Sequence, residues 1–332
     1  MTENHKETYH ILDKAADLRK RIKKELAKVI IGQDEIIDQF LIALFSGGHC
    51  LLEGVPGLAK TLLISSLAKV MSLDFSRIQF TPDLMPSDIT GTDILAENKT
   101  DGKRYFEFIK GPVFANVILA DEINRTPPKT QSALLQAMQE YQVTAGNKTF
   151  DLDKPFFVLA TQNPIEQEGT YPLPEAQLDR FMFHLIIDYP SYEEEFEIVK
   201  RTTGKSQQEL RAIVSKDEII KIQRAVREIP VSDHVLEYAV KIVRSTRPDT
   251  ESIPEEMRNL IAWGAGPRAS QYLILAAKTG AVLNGRMSPS EEDIRNVAPI
   301  VLQHRIILSF TAEAEGIKVK DVIRKIIDIH SK

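Results

Sequence analysis

The sequence predicts an α/β domain built on a parallel sheet, followed by a helical segment. Three observations carry that expectation. Short apolar runs that read as buried strands alternate with helical patterns up to about residue 189. A glycine-containing loop joins the first of these runs to a helix. Beyond Pro190, where the character changes, every long segment has helical spacing.

Composition bounds the answer before any motif does. A chain of 332 residues is long enough for two domains of ordinary size. Its 43% hydrophobic and 27% charged residues are those of a soluble globular protein. No apolar run reaches the ~18 residues of a membrane-spanning helix. The start, Met-Thr-Glu-Asn-His-Lys-Glu, lacks the basic region and apolar core of a secretory signal. The single cysteine, Cys50, cannot form an intramolecular disulfide, which fits a reducing compartment. A formal net charge of −5 gives no global reason to bind nucleic acid. The expectation is a soluble, cytoplasmic protein.

Taken in order, residues 10–28 set Arg19, Lys20, Arg21, Lys23 and Lys24 among Leu12, Ala16, Leu18, Ile22 and Leu26. This is an amphipathic helix with a solvated basic face rather than a nucleic-acid patch. Val29-Ile30-Ile31-Gly32-Gln33 breaks the pattern. A second helix carries Ile37, Phe40, Leu41, Leu44 and Phe45 on one side and ends at Gly47-Gly48. Strands are expected at Cys50–Leu52, Ser76–Phe80, Val117–Ala120, Phe156–Thr161 and Phe183–Ile187, with a helix at Lys129–Tyr141. Two stretches break the rhythm and read as insertions: residues 79–114, with an alternating run at Tyr105–Ile109, and 142–150, a hairpin about Gly146-Asn147. After Tyr189-Pro190, helices are expected at about 192–203, 216–229, 233–247, 268–283, 290–303 and 318–330, with Ser232 and Ser290 as N-caps. The predicted layout is a helix over 1–28, an α/β core over 29–189 and a helical domain over 190–332.

The chemistry gathers at strand ends. In Cys50-Leu-Leu-Glu-Gly54-Val55-Pro56-Gly57-Leu58-Ala59-Lys60-Thr61-Leu62, a buried strand passes through a glycine loop into a helix, which is a phosphate cradle. Loop N–H groups and the helix N-terminus face the phosphates, Lys60 reaches the β/γ-phosphates, and the Thr61 hydroxyl can ligate Mg²⁺. Ala59 stands where the usual pattern has its second glycine, so the loop alone is also compatible with an ordinary strand–turn–helix corner. Val117-Ile-Leu-Ala-Asp121-Glu122 repeats the design with two carboxylates. Asp121 is placed to hold Mg²⁺ and Glu122 to activate an attacking water. Asn163, closing Phe157–Gln162, can bond the γ-phosphate or that water, or be a plain turn residue before Pro164. Spacing alone does not single out Arg180 or Arg268.

Taken together these stretches are specific. Gly-x-Pro-Gly-x-Ala-Lys-Thr (54–61), Asp-Glu-Ile-Asn-Arg (121–125), Ala-Thr-Gln-Asn-Pro (160–164) and Glu-Ala-Gln-Leu-Asp-Arg-Phe (175–181) resemble the MoxR family of AAA+ ATPases. Phe106–Phe114, Tyr141–Thr144, Gly266–Ser270 and His304–Ile306 resemble it too, so the likeness runs from about Val29 to Ile306. The resemblance implies a P-loop NTPase core with a parallel sheet and helical layers, followed by a small all-helical lid domain. It implies Mg²⁺-dependent ATP hydrolysis to ADP, with Val29, Ile30, Ile31 and Gly32 lining the adenine pocket. Asn163 becomes a sensor of the γ-phosphate, Arg180 a finger reaching into a neighbour's site, and Arg268 an arginine supplied by the lid. The two insertions become pore- or partner-facing elements of a hexameric ring, a chaperone or remodeller working with a von Willebrand factor A-domain protein. Other readings are a nucleotide-gated adaptor with negligible turnover, a magnesium-chelatase-like motor subunit or a DNA-dependent motor. The acidic balance counts against the last.

Overall fold

A computed structural model describes residues 11–98, 104–145, 148–165, 169–204 and 208–331. Helices α1 (Ala15–Leu26) and α2 (Asp34–Ser46) precede strand β1 (Cys50–Glu53), and α3 (Lys60–Val70) leads to β2 (Phe75–Gln79). A short helix α4 (Pro86–Thr90) and an antiparallel ribbon of β3 (Gly91–Glu97) and β4 (Arg104–Lys110) come before β5 (Val117–Asp121). Helix α5 (Pro128–Glu140) and a second ribbon, β6 (Gln142–Ala145) with β7 (Lys148–Asp151), come before β8 (Phe157–Gln162). Its Gly146-Asn147 turn lies outside the described residues. The short α6 (Glu175–Leu178) feeds β9 (Phe183–Ile186).

β2, β5, β8, β1 and β9 pair in that order into one parallel sheet. Sheets of this kind are covered on both faces, so their central strands are continuous apolar runs. The period of two sorts them into two cores. Cys50, Leu52, Val117, Leu119, Phe157 and Leu159 face α1, α2, α3 and the C-terminal helices. Leu51, Ile118, Ala120, Val158 and Ala160 face α4 and α5.

The C-terminal part comprises α7 (Tyr192–Thr202), α8 (Lys216–Glu228), α9 (Asp233–Arg244), β10 (Ile261–Trp263), α10 (Pro267–Leu283), α11 (Glu291–Leu302), β11 (Ile307–Leu308), α12 (Phe310–Ala314) and α13 (Val319–His330). It departs from the all-helical expectation in one place, where β10 and β11 form an antiparallel pair. Strands of two or three residues are too short to show an alternating pattern. Ser191, Ser215 and Ser290 close capping boxes with Glu194, Glu218 and Asp293, whereas Ser232 holds an N-cap position without a side-chain bond. Helices α8 to α11 share the core of the first sheet face, so the segment beyond Pro190 is packed onto the sheet.

His49, between α2 and β1, is buried against the second core, with its ring beside Tyr141 and Phe156. Its Nδ1 accepts from the Val158 N–H (3.1 Å) and its Nε2 donates to the Met138 carbonyl (3.3 Å), which satisfies a neutral imidazole at both nitrogens. Burial pushes its pKa down from 6.5 to about 4. Between those two values the unfolded chain binds a proton at this residue and the folded chain does not. Stability is therefore complete above pH 6.5 and falls by ~3 kcal/mol as pH drops to 4. Denaturant titrations at pH 7 and 4.5 should show this fall, and His49→Gln should flatten a large part of it. An unchanged pH slope in that variant would assign the acid sensitivity elsewhere.

Candidate active site

The register of the sheet brings the strand ends together. Glu53 lies level with Gln162, and Ala120 with Ala160, so Gly54, Asp121, Glu122 and Asn163 leave the sheet at its C-terminal edge. Gly54 comes close to β9: a Cβ there would sit 2.2 Å from Ile187 Cγ2, so a bare backbone is required. The loop then turns through Gly57 at φ +86° and Ala59 at φ +54°. Ala59 is in the left-handed region as the N-cap of α3, which costs an L-residue roughly 1–2 kcal/mol and explains why glycine is the usual residue there.

Lys60 and Thr61 open α3, where unpaired backbone N–H groups and the helix dipole favour an anion. The Lys60 ammonium is half-buried and bonds to the Gly54 carbonyl, folding back over the loop. Burial lowers its pKa, while Asp121, Glu122 and Glu53 oppose that shift. Thr161 Oγ1 links the two acids: it donates to Asp121 Oδ1 (2.6 Å) and accepts from the Glu122 N–H (2.9 Å). Asp121 Oδ2 is held by Arg77 Nη2 from β2 (2.6 Å). Glu122, at φ +58°, has its Oε2 held by Arg125 (2.9 Å) and by Gln79 Nε2 (3.1 Å). Asn163 is buried; its Oδ1 accepts from the Ile165 N–H (3.1 Å), and its Nδ2 has no hydrogen-bond partner among the described residues.

Next to the loop lies a cavity of about 510 Å³ between the start of α2, the end of β9 and helix α11. Gln33 joins the two, donating to the Leu58 carbonyl (3.5 Å). Of residues 29–32, Ile31 borders the cavity, Ile30 is buried in the core and Val29 packs against it. Gly32, at φ +67°, abuts the Glu194 side chain. The cavity wall also includes Tyr189-Pro190, which the sequence marks only as a boundary, and Ile300 and Gln303 from α11. Arg77, Gln79 and Arg125 are likewise absent from the sequence-derived site. Gln79 falls inside the expected Ser76–Phe80 strand and Arg125 in the 121–125 motif, but the strand order that sets β2 beside β5 is not written locally.

The two arginines stand elsewhere. Phe183 lies level with Cys50, so Asp179 and Arg180 precede β9 at the N-terminal edge of the sheet, opposite to Lys60. Arg180 donates to the Leu135 carbonyl (2.8 Å). Arg268, at the start of α10, pairs with Asp179 (3.0 Å), and so does Arg305 (2.8 Å). Arg305 is buried and also donates to the carbonyls of Phe181 (2.6 Å) and Asp179 (2.9 Å). The structure thus gathers Arg180 and Arg268 with each other and separates both from the loop of their own chain.

Residues 49–183 match the family model described as ATPase family associated with various cellular activities (AAA), and residues 255–326 match the AAA lid domain. Chaperone MoxR1 of Mycobacterium tuberculosis is 45% identical over 91% of this chain and 79% of its own length. The uncharacterized protein YeaC of Bacillus subtilis is 43% identical over 92% and 91%. Protein MoxR of Methylorubrum extorquens is 31% identical over 94% of each. A crystal structure from Cytophaga hutchinsonii, described as that of a candidate ATPase, superposes with a TM-score of 0.91 at 46% identity and covers 98% of both chains.

Asp179 is the carboxylate shared by the buried Arg305 and by Arg268. Removing one partner of a buried ion pair leaves an uncompensated charge and costs about 3–5 kcal/mol. Asp179→Ala should therefore lower the midpoint of thermal unfolding by several degrees. A midpoint equal to that of the wild type would show that carbonyl bonds alone hold Arg305.

Proposed function

The chain belongs to the MoxR family of AAA+ ATPases, and from that premise we propose that it hydrolyses ATP with Mg²⁺ and works as a ring-forming remodeller of partner proteins. One observation carries the catalytic part: a helix N-terminus with a lysine, a strand-end Asp-Glu pair and the buried Asn163 Nδ2, without a partner among the described residues, meet at one sheet edge. A buried donor without a partner costs about 1–3 kcal/mol. An oxygen of a terminal phosphate in the cradle supplies the missing acceptor, so the residues fit a nucleotide.

In this reading Lys60 and the N–H groups of the Gly54–Ala59 loop, apart from Pro56, which has none, hold the phosphates, and the residues around Ile31 take the base. Thr61 and Asp121 hold the metal. Bound there, Mg²⁺ neutralises phosphate charge and orients the terminal group. Glu122 removes a proton from water as the water oxygen bonds to the terminal phosphorus and the bond to the ADP oxygen breaks. Gln79 and Arg125 hold the Glu122 carboxylate in place until then. Arg77 must release Asp121, or share it through water, for the metal to bind.

Arg180 and Arg268 cannot serve the loop of their own chain from the opposite edge of the sheet, which supports a role in a neighbour's site. We read the assembly as a hexameric ring of cytoplasmic subunits. The name of the Mycobacterium relative supports a chaperone role. A von Willebrand factor A-domain partner rests on the family resemblance alone.

Lys60→Ala should abolish binding of an ATP analogue by calorimetry. Wild-type affinity in that variant would refute the cradle. Glu122→Gln should keep analogue binding and lose about 10²–10⁴ in phosphate release, the range supplied by a positioned base. Undiminished turnover would remove Glu122 from the mechanism, and a wild-type protein without turnover would leave the adaptor reading. Mixing Arg180→Ala with Glu122→Gln protein should restore phosphate release, because mixed assemblies contain sites with an intact Glu122 beside an intact Arg180. Absence of recovery under demonstrated co-assembly would refute a finger acting between subunits.

A further inference from the structure

Helix α7 carries an exposed apolar face. Glu194 lies against Gly32, Arg201 donates to the Ala27 carbonyl (3.0 Å) and Ile198 is half-buried, whereas Glu193, Glu195 and Lys200 stay in solvent. Tyr192, Phe196 and Val199 are 79%, 61% and 54% exposed and follow one another at i, i+4 and i+7, hence on one face. No residue of the helix is buried. Tyr189, on the cavity wall and equally exposed, extends this face to the candidate nucleotide site.

A second apolar patch flanks the arginines. Trp263 and Ile307 sit opposite each other in the β10–β11 pair, and Phe310 begins α12 at 86% exposure. Trp263 precedes Arg268 by five residues, and Ile307 follows Arg305 by two. Both arginines are tied to Asp179, beside Arg180.

We propose that these two patches are the two halves of a single head-to-tail interface between copies of this chain, the α7 face of one receiving Trp263, Ile307 and Phe310 of the next. The inference rests on the proposed ring and deepens it by naming the surfaces. Three features select a second copy as the occupant. Each patch borders one half of a site that a single chain leaves divided, the cavity in one case and the arginines in the other. The charges are complementary: the cavity wall carries Asp34, Glu35, Asp188 and Glu194, whereas the other edge carries Arg268, paired with Asp179, and Arg180, whose side chain donates to the Leu135 carbonyl. The area is adequate too. The five aromatic side chains on the two patches, each ~150–250 Å² when whole and 61–86% exposed, present about 700 Å², close to half of a stable interface. Because the halves differ, the contact is heterologous and is completed only by ring closure or an open filament.

The test is sedimentation velocity in Mg²⁺ and adenylyl imidodiphosphate, with Phe196→Glu and Phe310→Glu. Each variant should sediment as a monomer where the wild type assembles, with an unchanged melting temperature. An equimolar mixture should stop at a dimer, since each variant keeps the half that the other lost. Where a melting temperature falls, Tyr192→Glu and Trp263→Glu stand in with the same expectations. Wild-type assembly by either folded variant, or a mixture that stays monomeric, overturns the assignment of these surfaces while leaving the ring intact. A monomeric wild type under the same conditions overturns the ring, and this inference with it.

Discussion

Burial of the central sheet on both faces constrains everything else in this chain. β1, β5 and β8 are apolar along their length because helices cover both sides. An unpaired polar side chain inside such a strand would cost several kcal/mol. Polar groups can emerge only where the strands run out, and the parallel register makes three of them run out side by side. The same constraint fixes Gly54, where the loop crosses β9 too closely for a Cβ. The concentration of acids, amide and lysine at one edge follows from packing before any chemistry is considered.

β9 is the edge of that sheet, and an open edge invites unwanted pairing. The C-terminal helices cover it with side chains. Gln303 bonds to the His184 carbonyl, His304 to that of Phe181 (3.1 Å), and Arg305 to the chain just before the strand. The His184 side chain reaches along the sheet to Glu53 Oε2 (Nε2 at 3.1 Å), and at the far end of β9 the Ile187 N–H donates to the Glu53 carbonyl (2.9 Å), next to the glycine loop. One short strand therefore has the candidate nucleotide loop at one end and the arginine cluster at the other, with the C-terminal helices bonded along it. A shift of those helices would move Arg268 directly and Arg180 through Asp179.

Much of this was legible in the sequence, for identifiable reasons. Apolar runs reveal buried strands, and a glycine loop followed by Lys-Thr fixes the cradle. The Ala59 departure costs only local strain, which the φ of +54° makes visible. The paired strand of the first insertion, β3, has only a weak alternation, and the β10–β11 pair has none. The groups that hold the acids, Arg77 and Gln79, needed the strand order, in which β2 is adjacent to β5. The placement of Arg268 needed the packing of α10, since periodicity predicts a helix and its start but not which end of the sheet that start will meet. For Val29–Gly32 the pattern marks a break in helix, whereas the structure divides the four between core, cavity wall and a close contact.

A charge balance ties these features together. At the C-terminal edge Lys60, Arg77 and Arg125 stand among Glu53, Asp121 and Glu122, so the described groups are already compensated. A triphosphate brought into the cradle adds negative charge that Lys60 and the helix dipole only partly offset, and in a half-buried site the excess is expensive. On the proposed reading Mg²⁺ meets part of that excess, and the rest must come from cations outside the subunit, because Arg180 and Arg268 of the same chain are held at the far edge. Nucleotide occupancy then favours contact between copies, and contact between copies favours occupancy, since a coupling of this kind is reciprocal. On that reading the separation of the arginines from their own loop is the feature that leaves a single chain incomplete and gives the proposed assembly a thermodynamic reason.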